Sequence, residues 1–398
     1  MNNRNVIGII AEYNPFHRGH RYQIETAAAA ASADAAVVVM SGNFVQRGSF
    51  ACADKWTRAE MALRNGADLI IEIPVARCLG DASSYASAGV GLLEATGIVT
   101  HLAFGSESGD LETLQAAADH LNAEAPDLQE MIRAFQAAGR SYPAARAAAL
   151  EACCGIPAEV LSRPNDILAV EYLRAVRTLS PVPVRRVGPG YHETGIGKEA
   201  LMSSSGVRQA LREGRDISAA IPENIRWQKI PFLLDESRFA DLIRYRILTA
   251  GIREIMDCPA GEEGLAHLLK EAARTEDTPE GLILAVKSRR YTYTRISRLL
   301  YQLLLGITRE QAAEPPEYLR ILGFTEKGRE LLRDMTDGAA TLPVITNVNR
   351  TKVVSRQLET EFRATDLYNL GCGRDLCAYA DQRHRVLLPE EKNSSERG

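Results

Sequence analysis

Val6-Ile7-Gly8-Ile9-Ile10-Ala11-Glu12-Tyr13-Asn14-Pro15-Phe16-His17-Arg18-Gly19-His20 decides the fold. Its first six residues are an apolar run, short enough for a strand and apolar enough to be buried on both faces. Polar and turn-forming residues follow at once. An alanine-rich stretch, Gly19 to Ala33, then reads as a helix without internal breakers. The two histidines therefore sit where a strand hands over to a helix. Backbone N–H groups at a helix start point outward and favour negative charge. Gly19 lets a phosphate or a base come close to the backbone. Two ring N–H groups three residues apart suit a triphosphate and the charge that develops when it is attacked. Asn14 is a further polar candidate. A zinc site fits poorly, because no third ligand of suitable spacing stands near the two histidines.

Working outward, the same alternation repeats. Ala35 to Met40 reads as a strand, Asp54 to Asn65 as a helix, Leu69 to Ile73 as a strand ended by Pro74, Ser84 to Thr96 as a helix and Thr100 to Phe104 as a strand. Strand and helix in alternation predict an α/β fold, a Rossmann-like domain with a mostly parallel sheet. Ligands of such sheets bind beyond the carboxyl ends of the strands. The polar segments 14–20, 41–43 and 105–107 are expected to meet there. Asp110 to Ala149 reads as one alanine-rich helical insertion. Pro164-Asn165-Asp166 opens another helix, and Pro181 to Val187 returns as a strand. A second motif, Ser203-Ser204-Ser205-Gly206-Val207-Arg208, puts three hydroxyls before a helix and an arginine in its first turn. Hydroxyls there cap the helix and bind phosphate, and Arg208 can clamp a leaving pyrophosphate.

The expected domains are 1–220, carrying the nucleotide site, and 221–388, mainly helical to mixed α/β, with a boundary at Pro222 to Pro231 and a loose charged tail at 389–398. Hydrophobic residues make up 45% of the 398 and the formal net charge is -4, so a globular protein is expected and a basic surface over the whole chain is excluded. A local basic face is not excluded. Lys287-Ser288-Arg289-Arg290-Tyr291-Thr292-Tyr293-Thr294-Arg295 mixes cations with tyrosines that can stack on unpaired bases. The seven cysteines are irregularly spaced and no pair of CxxC motifs occurs, which suits a reducing compartment. The first residues lack the apolar core and cleavage site of a signal peptide, and no apolar run is long enough to span a bilayer. The expected location is cytoplasmic, with no membrane and no stable protein partner implied.

The strand followed by HxGH at His17 to His20, with the serine motif ending in Arg208, resembles the HIGH-type nucleotidyltransferase superfamily. A narrower resemblance lies in Gly8 to His20, Ser41-Gly42-Asn43-Phe44-Val45-Gln46-Arg47-Gly48, Phe104-Gly105-Ser106-Glu107, Pro164-Asn165 and Arg290 to Arg295. These are similar to the bacterial tRNA(Met) cytidine acetate ligase family over most of the chain. The serine motif departs slightly, with Ser205 near a position where threonine is common. The resemblance implies ATP-dependent activation of acetate to acetyl-adenylate, then acetyl transfer to N4 of the wobble cytidine of elongator tRNA(Met). It also implies ATP and Mg2+ as cofactors and acetate as co-substrate. Carried over by position, ATP falls on Ile7, Gly8, Ile9, Ile10, Ala11, Glu12, Tyr13, Asn14, Pro15, Phe16, His17, Arg18, Gly19, His20, Gly105, Asn165, Arg185, Arg186, Ser204 and Ser205. His17, His20 and Arg208 are the expected catalytic residues. RNA contacts are expected from Lys55, Arg289, Arg290, Tyr291, Tyr293 and Arg295. Asp34 and Lys55 are candidates for assisting acetyl transfer. Two other readings share the HxGH chemistry or the basic segment: a small-molecule adenylyl- or cytidylyltransferase, and a non-catalytic RNA-binding protein.

Overall fold

The apolar run Val6–Ala11 forms strand β1 at the middle of the molecule. The computed structural model describes residues 4–186, 202–373 and 380–389. The remaining strands are β2 (Ala35–Ser41), β3 (Phe44–Val45), β4 (Ser49–Phe50), β5 (Leu69–Ile73), β6 (His101–Ser106), β7 (Ser180–Arg185), β8 (Leu319–Phe324) and β9 (Val344–Ile345). Seven of them form one sheet in the order β7-β6-β1-β2-β5-β8-β9, while β3 and β4 make a small hairpin. β1 runs parallel to both β2 and β6, β2 to β5, β6 to β7 and β8 to β9. The β5–β8 pair is antiparallel.

The sheet is buried on both faces because its strands alternate between two cores. Val6 and Ile10 pack with Leu92 and Leu93 of helix Ala82–Ala95 on one side. Ile7 and Ile9 pack with Ile24 and Ala27 of helix Arg18–Ala30 on the other. Gly8 belongs to this packing: a Cβ there would lie 2.7 Å from Leu93 Cδ2.

From β1 the chain winds outward through β2 and β5, then returns to place β6 on the opposite flank of β1. The β1–β6 junction is thus a topological switch point, where open α/β sheets bind ligands. The helical insertion consists of three helices, Leu111–Ala123, Pro126–Ala137 and Tyr142–Cys154. Pro126 opens the second, and Gly139 adopts φ +88 between the second and third.

The division expected near residue 220 does not follow the sheet. β8 and β9 come from the second half and extend the sheet beyond β5. Helices Ser237–Thr249, Glu263–Thr275, Pro279–Val286 and Tyr293–Leu305 have a core of their own around Phe239, Leu269, Leu282 and Leu300. Phe44 and Phe50 of the β3–β4 hairpin join that core. The expected tail lies, beyond residue 389, outside the described residues. Among the described residues no helix is long and apolar enough to cross a membrane.

Candidate active site

β1 ends in a loop whose conformation is set by the two histidines themselves. His17 is the N-cap of helix Arg18–Ala30, and its Nδ1 accepts the Gly19 N–H at 3.1 Å. The His17 N–H donates to His20 Nδ1 at 3.2 Å. Each histidine thus satisfies one of the unpaired donors of the helix start or of the N-cap, as Ser and Glu do in a capping box. The rings stack with centroids 3.7 Å apart. A Cβ on residue 19 would approach His17 Cε1 to 2.9 Å, so Gly19 leaves room for that ring.

Two consequences follow for chemistry. Both Nδ1 atoms accept backbone protons, so each neutral ring carries its proton on Nε2, the tautomer this bonding requires. Burial, and then the nearby Arg186 charge, lowers the His17 pKa to about 3. Burial, the neighbouring His17 and Arg186 hold His20 well below its ordinary value. At neutral pH the pair is uncharged and offers two N–H donors.

A cleft of about 270 Å³ opens in front of them, at the carboxyl ends of β1, β6 and β7. Ile10, Ala11, Glu12, Tyr13, His17, Gly19, His20, Gly105, Asn165, Arg185, Arg186, Ser204, Ser205 and Arg208 all line it. The two motifs lie about 190 residues apart in sequence, yet they are hydrogen-bonded to each other. Arg208 Nη1 donates to the Asn14 carbonyl at 2.5 Å, and Ser204 Oγ donates to the Pro15 carbonyl at 3.4 Å. Ser203 caps helix Ser204–Arg212 by accepting the Gly206 N–H at 3.2 Å. Arg186 Nη1 donates to Asn165 Oδ1 at 2.8 Å, while Asn165 Nδ2 donates to Glu107. Of the adjacent arginines, Arg186 is therefore the one held by a partner across the pocket.

Ile7, Gly8, Ile9, Asn14, Pro15, Phe16 and Arg18 stand behind the lining. Ile7 and Ile9 are wholly buried in the sheet. Phe16 packs edge-on to Tyr13, and Asn14 Oδ1 accepts the Cys52 N–H at 2.7 Å. Arg18 turns outward to the Ile221 carbonyl and Glu223. These residues hold the loop's shape. The pocket also contains residues that local sequence gave no reason to place there. Tyr85 comes from the first turn of helix Ala82–Ala95, Tyr172 from within helix Pro164–Ala175, and Gln46 and Arg47 from the hairpin. Gln46 and Arg47 had a signal, since they lie in the Ser41 to Gly48 segment.

The expected RNA residues fare differently. Lys55 is wholly buried: its Nζ bonds Glu72 Oε1 at 2.7 Å and Asp381 Oδ2 at 2.8 Å. It cannot contact RNA or assist transfer, because its three donors are already spent inside the protein. Asp34 precedes β2, at the amino ends of the strands and so opposite the pocket, and accepts the Asn5 N–H. Tyr291 is buried, with its hydroxyl donating to Glu262 at 3.3 Å, so its ring is not free to stack on a base. Arg289 and Arg290 are exposed. Arg290 and Arg295 both pair with Glu262, and Tyr293 donates to Glu280. Arg290 and Arg295 also line a second cleft, of about 570 Å³, whose other wall carries Arg133, Arg140 and Tyr142 of the helical insertion.

Among the described residues no group of three or more His, Cys, Asp or Glu could hold a metal ion. Among the described residues of the lining the donors are imidazole, guanidinium, amide and hydroxyl groups, and Glu12 is the one acidic side chain. This set does not fit a Mg2+ caged by protein. It fits phosphate oxygens, which can carry their own Mg2+.

Comparison with known proteins agrees with this geometry. The sequence model described as HIGH Nucleotidyl Transferase matches residues 4–382. A tRNA(Met) cytidine acetate ligase of Leuconostoc citreum is 38% identical over 379 residues, covering 92% of each chain. One from Syntrophomonas wolfei is 36% identical over 397 residues, covering 92% of this chain and 94% of its own. The crystal structure of Thermotoga maritima TmcAL bound with alpha-thio ATP superposes with a TM-score of 0.86 at 30% identity, covering 96% of this chain and 99% of that one. The protein is an enzyme of the HIGH nucleotidyl transferase family and belongs, within it, to the tRNA(Met) cytidine acetate ligases.

Proposed function

We propose that this enzyme joins acetate to ATP and passes the acetyl group to N4 of the wobble cytidine in elongator tRNA(Met), giving N4-acetylcytidine. The observation that carries this reading is the neutral histidine pair, sharing its cleft with Arg186 and Arg208, at the β1–β6 switch point of a chain in this family.

In the first step an acetate oxygen bonds to the α-phosphorus while the bond from that phosphorus to the bridging oxygen of pyrophosphate breaks. Acetate is already ionised at neutral pH, so no general base is needed. The charge to be offset lies on the equatorial oxygens and on the departing pyrophosphate. His17 and His20 Nε2–H groups are donors fixed before ATP arrives, which removes the reorganisation cost that water would incur. Arg208, tied to the Asn14 carbonyl, adds a positive charge on the same side. Gly105, Asn165 and Arg185 take the nucleoside side of the cleft, and Ser204 and Ser205 the phosphate side. Mg2+ would come on the triphosphate and supply further charge neutralisation.

In the second step the acceptor base must leave its stack and meet the mixed anhydride. The second cleft offers arginines and the exposed Tyr142 for the RNA backbone and an unpaired base. Purified protein given ATP, Mg2+, labelled acetate and bacterial tRNA should yield labelled N4-acetylcytidine on nucleoside analysis. ATP turnover without that nucleoside would remove the assigned acceptor. Folded protein with no turnover would favour the RNA-binding reading.

A further inference from the structure

Glu12 is the single acidic side chain among the described residues lining the nucleotide pocket, and activation of acetate gives it no task. A carboxylate beside a triphosphate and an acetate repels both. Its position is nonetheless enforced from two sides. The Glu12 carbonyl accepts from Arg58 Nη1 at 2.6 Å, and Arg58 is wholly buried, with three more of its donors on the Ala53, Ser41 and Gly42 carbonyls. Glu12 Oε1 accepts the Gln46 N–H at 3.0 Å. No described side chain bonds the other oxygen, and no ion pair closes on the group, although Arg47 and Arg208 lie near enough to feel its charge. Tyr85 and Tyr172 of the lining and the buried Cys78 also feel that charge. A carboxylate held this way beside the site of the activated acyl group suits a substrate atom that must lose a proton.

We propose that Glu12 accepts a proton from cytosine N4 during acetyl transfer, an inference that rests on the function proposed above. N4 bonds to the acetyl carbonyl carbon, and the bond from that carbon to the phosphate oxygen breaks, with its electrons leaving on AMP. One of the two N4 protons goes to the free Glu12 oxygen and from there to solvent. The products are N4-acetylcytidine, AMP and one proton. Burial lifts the Glu12 carboxyl above the ordinary carboxylate range, with Arg47 and Arg208 pulling it part of the way back. A base of raised pKa is a better proton acceptor at neutral pH.

Two readouts on the full chain separate the steps: acetate-dependent exchange of labelled pyrophosphate into ATP without RNA, and labelled acetyl in elongator tRNA(Met). Glu12→Gln keeps the shape and loses the basicity. Its acetyl transfer should fall at least ~100-fold more than its exchange, and Glu12→Asp should recover part of the difference. In the wild type, single-turnover transfer should lose more rate than exchange as pH falls through the raised Glu12 pKa, because exchange falls only as acetate itself is protonated. Equal loss of both activities in Glu12→Gln would overturn the proposal and assign Glu12 to the nucleotide or its Mg2+. Undiminished transfer would overturn it as well. A wild-type transfer rate that falls no more than exchange on the acid side would overturn it even if the variants failed to fold. Wild-type exchange without tRNA acetylation would instead refute the proposed acceptor.

Discussion

Two clusters of charge sit about the same sheet and differ in where their polar atoms end. In the pocket, His17, His20, Arg186, Arg208 and Glu12 are each anchored through one atom and leave another facing open space. On the β5–β8 flank, Lys55, Glu72, Arg320 and Asp381 bond one another, and each is nearly or wholly buried. Asp381 is held well below the usual carboxylate range: burial opposes its charge, but Lys55 and Arg320 outweigh burial. Glu361, beside them, is pushed well above the usual carboxylate range by burial and by Glu72. Two cations then face two carboxylates. The second cluster joins helix Lys55–Leu63, β5, β8 and the segment around Asp381 into one body. Free polar atoms, rather than charge density, mark the site.

The sharpest way to break this comparison is to remove one charge from the closed cluster. Lys55→Met leaves Glu72 and Asp381 with Arg320 alone in a buried setting. Losing one partner of a buried pair costs about 3–5 kcal/mol. Urea denaturation should show that loss. Acetyl transfer measured well below the unfolding midpoint should show little change, because Lys55 reaches neither cleft.

The counterpart in the pocket is His20→Ala. It removes one preorganised donor, worth about 3–4 kcal/mol in the transition state. Acetate-dependent pyrophosphate exchange should drop by roughly 10²–10³, while stability falls only by about 1 kcal/mol for the lost bond to the helix start. A stability loss as large as that of Lys55→Met would erase the distinction between the two clusters.

The third effect concerns protons. His17 and His20 are buried neutral, with folded-state pKa values below the ordinary 6.5. The unfolded chain binds protons at these histidines below that pH while the folded chain does not. Their contribution to stability is therefore complete above about pH 6.5 and is lost as pH falls toward the His17 value of about 3. Each should cost roughly 1.4 kcal/mol per pH unit across that window at most. A denaturation series from pH 7 to 4 in wild type and His17→Gln checks it: the variant should show the shallower decline.

How much of this the sequence contained varies with the range of the interactions involved. β1 and the HxGH turn were readable because an apolar run, a glycine and two histidines act within fifteen residues. β5 was readable to the residue, since Pro74 ends it. The docking of Ser204 and Arg208 onto the Asn14–Pro15 carbonyls was reachable only through the resemblance, because nothing local joins segments so far apart. The burial of Lys55 was not readable. It rests on Glu72 and on Asp381, the latter 326 residues away, and a lysine beside Arg47 and Arg58 in sequence looks like a surface cation. β8 was hidden for a related reason. An antiparallel partner for β5 follows no βαβ rule, and only the finished sheet shows its open edge being covered. Tyr85 and Tyr172 reach the pocket from helices, where a tyrosine reads as core.

The smallest effect tests the outer cleft, where exposed charge should behave unlike either cluster. The Arg290 side chain is 71% exposed and already shares Glu262 with Arg295. An exposed pair contributes about 0–1 kcal/mol to stability, so Arg290→Ala should leave the denaturation curve in place. If the cleft holds an RNA backbone, the same change should raise the KM for tRNA about two- to fivefold and weaken its salt dependence, with pyrophosphate exchange untouched. Tyr291→Phe provides the contrast within the same segment. Its ring is buried and its hydroxyl bonds Glu262, so its loss should cost about 1 kcal/mol of stability and leave the KM for tRNA unchanged. A tRNA effect from the tyrosine but none from the arginine would mean that this segment opens when RNA binds.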